Sequence, residues 1–98
     1  MMGTLTHRNK KAVEAMLREI PEPDYKELCD LLGLPAPELR ILDLKYRKGT
    51  PEGYPATREY IAEDLGISPS TLDRKLKAVL KRIAKYANRI IAGWRIAN

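Results

Sequence analysis

The chain carries one cysteine and one histidine, and each scarcity removes a class of function. Cys29 alone cannot form an internal disulfide, so the fold is not a disulfide framework. It stands beside Asp30, whereas a reactive thiol needs an electropositive, partly open setting, so Cys29 reads as small core packing. His7 is isolated near the amino terminus, which leaves neither a zinc site nor a histidine-based triad supported. CxxC pairs, HExxH, GxSxG and a glycine-rich phosphate loop are all missing. Glu63 and Asp64 are adjacent, but neighbours on a helix point about 100° apart, so they read as a solvated helix surface and not as an acid/base pair. No apolar run approaches the ~18 residues of a membrane span, and MMGTLTHRNKK lacks the apolar core of a secretory signal. The expectation is a cytoplasmic protein that is not an enzyme, without catalytic residues, cofactor, metal or membrane partner.

Basic charge is plentiful but unevenly placed. Residues 1–66 hold 10 Lys and Arg against 12 Asp and Glu, giving −2, while residues 67–98 hold 8 against Asp73 alone, giving +7. A basic carboxyl third on a chain that is 44% hydrophobic and 32% charged describes a globular domain with a polyanion-binding end. Nucleic acid is the first such partner to consider, and an anionic membrane surface the second.

The apolar spacing reads as helix nearly everywhere, so the fold class is all-α with about five helices in a single domain, 1–98. A first helix is predicted from about Arg8 to Ile20, with Val13, Met16, Leu17 and Ile20 inward and Pro21 and Pro23 stopping it. Asp24 is predicted to cap a second helix through Leu32 that turns Tyr25, Leu28, Leu31 and Leu32 inward and ends at Gly33. Residues 1–33 thus form an amino-terminal helical extension. Pro37 suits the first position of a third helix through about Lys48, with Leu39, Ile41, Leu42, Leu44 and Tyr46 as core and Gly49 ending it. GTPEGYPA, 49–56, is a loop, long for a compact helical domain, and Thr57 is placed to cap a fourth helix through Leu65. Tyr54 and Tyr60, flanking this region, are expected to pack over the core, and Trp94 to anchor the carboxyl tail.

Residues 58–76, REYIAEDLGISPSTLDRKL, have the spacing of a helix-turn-helix. Ile61, Leu65, Ile67, Leu72 and Leu76 supply apolar contacts between two short helices, and Ala62 is small where their backbones approach. Gly66 occupies a turn position that calls for positive φ. Ser68 can cap the next helix, with Pro69 in its first turn where a missing N–H does no harm.

ELRILDLKYRKG, then a loop, then EYIAEDLGISPSTLDRKLKAVLKRI resembles region four of bacterial sigma factors, most closely the small extracytoplasmic-function type. The resemblance covers residues 34–83. It implies a helical DNA-binding domain whose recognition helix enters the major groove of a promoter element while neighbouring surface touches RNA polymerase. This sequence departs from the pattern in its longer GTPEGYPATR connection and in Asp73, where a basic residue is common. Nothing in it resembles the core-polymerase-binding region two, so a region-four-like regulator of bacterial or phage type, and not a complete sigma factor, is the description that fits.

The fifth helix is predicted from Ser68 or Pro69 to about Ala92. Leu72, Leu76, Val79, Leu80, Ile83, Tyr86, Ala87 and Ile90 form one apolar stripe, and Arg74, Lys75, Lys77, Lys81, Arg82, Lys85 and Arg89 the other sides. The stripe suits packing on the first helix or on a second protomer in a homodimer. Base reading falls to the start of a recognition helix, which nominates Ser70, Asp73, Arg74 and Lys77. Asp73 either accepts from a cytosine amino group or orients Arg74 or Lys77. Arg58, Ser68, Thr71, Lys75 and Lys81 are nominated for phosphates, with Arg82 and Lys85 as outlying candidates. The leading expectation is a sequence-specific duplex-DNA-binding transcriptional regulator. The alternatives are a module that binds RNA polymerase or a sigma factor without reading DNA, and a phage DNA-packaging or assembly subunit.

Overall fold

The structure, a computed structural model, describes residues 7–97, with side chains described over residues 10–86. Among the described residues the fold is all-α: α1 (His7–Glu19), α2 (Glu22–Leu32), α3 (Ala36–Leu42) running into a π-helical stretch (Asp43–Arg47), α4 (Arg58–Leu65) and α5 (Pro69–Ala97). None of these helices is long and apolar enough to cross a membrane.

Prolines set the first junctions. Pro21 flanks α2 in extended conformation and Pro23 sits in its first turn, so the helix opens before Asp24 and not at it. Asp24 lies inside that turn with Glu22, where carboxylates complement the positive end of the helix dipole. The inward face also differs from the predicted one by one residue. Tyr25, Leu28, Cys29 and Leu32 fill the i, i+3, i+4, i+7 positions, and Leu31 is 67% exposed because it lies about 100° from Leu32. Gly33 then closes the helix in the left-handed region at φ +59°.

The third helix does not run uninterrupted to Lys48 as predicted: after Leu42 the backbone widens into the π-helical stretch. Its side chains divide between two cores. Leu42 and Tyr46 join Val13, Leu17, Leu28, Val79, Leu80 and Ile83, a cluster shared by α1, α2, α3 and α5. Ile41 and Leu44 join Ala56, Ile61, Ala62 and Leu72, the core of the helix-turn-helix, with Leu76 packed against both clusters. The α1 and α2 helices therefore share a core with α3 and α5.

Polar contacts fasten that join. Arg47 donates to the carbonyls of Leu17 (3.1 Å) and Ile20 (2.9 Å), which the end of α1 leaves without helical partners, and pairs with Glu22 at 2.6 Å. Its guanidinium also lies 4.6 Å from the centre of the Tyr25 ring. The Tyr46 hydroxyl donates to Glu14 (2.6 Å) and the Tyr25 hydroxyl to Asp43 (3.0 Å). Burial first, and for Tyr46 the adjacent Glu14 next, push both phenols above their usual value.

The 49–56 connection is long but closed on itself. The Thr50 N–H donates to the Tyr54 carbonyl (2.7 Å), Gly53 returns a bond to Thr50 (2.9 Å), and the Ala56 N–H reaches the Leu44 carbonyl (3.0 Å), which seats Ala56 in the core. Gly49 takes φ +70°, and a Cβ there would stand 2.4 Å from the Tyr54 carbonyl oxygen. Tyr54 itself points outward at 69% exposure, and Tyr60 is exposed as well, so neither packs over the core as predicted. Trp94 and His7 lie outside the described side chains.

Candidate nucleic-acid interface

The two helices of the predicted motif, α4 and α5, are joined by three residues. Thr57 caps α4 by accepting the Tyr60 N–H (3.1 Å). Gly66 ends it at φ +67°, with its own N–H on Glu63 (3.1 Å) and the Ile67 N–H on Ala62 (3.0 Å). Ser68 starts α5 by accepting the Thr71 N–H at 3.1 Å, with Pro69 as the first helical residue. Ile61, Ala62 and Leu72 are buried between the helices, as their spacing predicts. At the far end of α4, Arg40 grips both oxygens of Asp64 (3.0 and 3.1 Å) and ties α3 to the motif. Glu63 beside it stays exposed, consistent with a solvated helix surface.

The buried side of α5 runs through Leu72, Val79, Leu80 and Ile83, packed on α1, α3 and α4. The α1 helix thus covers the stripe as far as Ile83, and the rest of the stripe, past Tyr86, lies outside the described side chains. The opposite side carries Ser70, Arg74, Lys77, Lys81 and Lys85, all exposed and spaced by three or four residues on one line. Among the described residues none of these four cations forms an ion pair. Arg74 makes only a 3.4 Å contact to the Thr71 hydroxyl. The first turn of α5 contains no acid, so its positive dipole end is not offset by a carboxylate, although Ser68 caps the Thr71 N–H.

Other nominated residues are placed differently. Asp73 does not orient Arg74 or Lys77: both its oxygens are held by Arg58 of α4, each at 2.8 Å. That guanidinium holds the Asp73 carboxyl below the usual carboxylate range. Arg58 and Asp73 thus occupy each other, one nominated for phosphate and the other for a base. Lys75 leaves the ridge and reaches Glu38 of α3 at 3.6 Å. Arg82 donates to the Leu32 carbonyl at the end of α2, so it serves the fold and not the ridge. Ser68 and Thr71 bond to each other through their hydroxyls (2.9 Å) at the helix start and stay at the surface.

Two cations outside the predicted site, Lys10 and Lys45, also act on this region. Lys10 of α1 lines an open hollow of about 270 Å³ with Asp73, Leu76, Lys77 and Leu80. Lys10 and Lys45 both act electrostatically on the Asp73 carboxylate. The signal for Lys10 was readable: His7, Arg8, Lys10 and Lys11 crowd the start of α1, whose first turn has no acid, against the sense of the helix dipole.

No group of histidine, cysteine and carboxylate side chains suited to a metal ion occurs among the described residues. The Cys29 thiol is buried and its pKa raised, chiefly by burial. Comparison with known protein families, with curated proteins and with solved structures gives no match to this chain.

Proposed function

We propose that this protein is a sequence-specific duplex-DNA-binding transcriptional regulator whose helix-turn-helix presents the start of α5 to the major groove. The observation that carries the reading is the exposed, unpaired ridge Ser70, Arg74, Lys77, Lys81 and Lys85, which begins at a capped helix start free of acids. In this reading Arg74 and Lys77 meet base edges, where a bidentate arginine–guanine pair is the commonest specific contact, and Ser70 contributes a short hydroxyl. Lys81 and Lys85 reach phosphates, and the Arg58–Asp73 pair fixes α4 against α5 and so sets how far Arg74 projects. Resemblance to sigma region four supports the same docking. Selection of bound duplexes from a random pool, followed by titration across salt, tests the proposal. Affinity should fall with a log–log slope of roughly −0.9 for each phosphate neutralised. Failure to retain any duplex at low salt would overturn it and leave the polymerase-binding alternative.

A further inference from the structure

The hollow between α1 and the start of α5 brings Lys10 and Lys77 to one opening over a floor of Leu76 and Leu80. Its one acid, Asp73, is held through both oxygens by Arg58, and among the described residues neither ammonium group forms an ion pair. The Lys45 charge also acts on Asp73. Folding thus gathers like charges at one edge of the ridge, which costs energy unless an anion is shared between them. The start of α1 points the same way, since cations replace the acids that a helix amino terminus favours. The hollow is smaller than the roughly 300–1,000 Å³ of a small-molecule site and opens onto the ridge, which suits a polymer backbone passing over it. Lys10 is delivered on a rigid element, because Arg47, Tyr46 and the shared core hold α1 in place.

We propose that Lys10 clamps a phosphate of duplex DNA beside the groove that Arg74 and Lys77 enter, making α1 part of the nucleic-acid interface. The clamp rests on the DNA-binding reading above and adds a sequence-independent contact from outside the helix-turn-helix.

Lys10→Ala, Lys10→Arg and Lys26→Ala, with the native chain, are titrated on a selected duplex and on a scrambled one across a salt series. Lys26, exposed on α2 near Glu22, is a control that loses the same charge elsewhere. For Lys10→Ala the salt slope should flatten by about 0.9, which corresponds to about fivefold weaker binding at 0.15 M salt relative to 1 M, on both duplexes alike. Lys10→Arg should bind as the native chain does, and Lys26→Ala should keep the native slope. If Lys10→Ala matches Lys26→Ala while the native chain still discriminates the selected duplex, the clamp is refuted and DNA reading stands. If the native chain binds neither duplex, the DNA reading fails and the clamp with it.

Discussion

Replacing Leu17 by alanine should test whether the amino-terminal extension is an integral part of the domain that presents α5. Leu17 is fully buried in the cluster that α1 shares with Val79, Leu80 and Ile83 of α5. The substitution removes three carbon atoms, worth about 2.4 kcal/mol at ~0.8 kcal/mol per buried methylene. The cavity left behind raises the loss, and Leu→Ala changes in closed cores span about 2–5 kcal/mol. A domain of this size has only about 5–15 kcal/mol to lose, so the effect should be large. At roughly 5 °C per kcal/mol the thermal midpoint should drop by about 10–25 °C. Urea unfolding followed by circular dichroism gives the free energy, and Leu31→Ala, on the exposed side of α2, should change it by less than about 0.5 kcal/mol. A loss below about 1 kcal/mol for Leu17→Ala, or a separate early transition for α1, would refute the shared core.

Gly49→Ala should destabilise the chain by more than the roughly 1–2 kcal/mol of a left-handed non-glycine residue, because its Cβ also meets the Tyr54 carbonyl; chemical denaturation measures it. Ser68→Ala should cost about 1 kcal/mol through the lost α5 cap, read from the same unfolding curves. Stability should fall as pH rises through 10, since the unfolded chain ionises tyrosines there while Tyr25 and Tyr46, raised in the fold, stay protonated. With the exposed Tyr54, Tyr60 and Tyr86 replaced by phenylalanine, the phenolate absorbance of Tyr25 and Tyr46 should appear together with unfolding and not before it. At the acid end, Asp64, Asp73 and Glu22 have lowered values, so their contribution is present above the ordinary carboxylate range and is lost as pH falls from that range through the lowered values; the loss should shrink in 1 M salt.

The helix count, both glycine ends of α2 and α4, and the caps at Thr57 and Ser68 were legible because each rests on a local rule about backbone conformation or an orphan N–H. The two cores were legible in membership but not in partition, since periodicity says which side chains leave water and not which helix they meet. Leu31 was misplaced because Leu28, Leu31 and Leu32 allow two overlapping faces, and only the packing of α2 into the shared cluster chooses between them. The π-helical stretch has no propensity signal in DLKYR. Within the interface, Arg74 and Lys77 could be nominated from their place at a helix start. The pairing of Asp73 with Arg58, 15 residues away, and of Lys75 with Glu38 depends on how helices cross, which spacing does not encode.

The assignment of Arg74 as the base reader is tested most directly by comparing Arg74→Ala with Lys85→Ala on a panel of single-base variants of the selected duplex. Both residues are exposed on the ridge, and about 16 Å of helix separates them at ~1.5 Å per residue. Arg74→Ala should cost about 1–3 kcal/mol on the preferred site and flatten discrimination at one base position. Lys85→Ala should weaken all duplexes about equally and lower the salt slope, leaving the preference intact. Unchanged affinity and preference for Arg74→Ala, with altered preference for Lys85→Ala, would mean that the far half of α5 faces the bases and that the proposed docking is wrong.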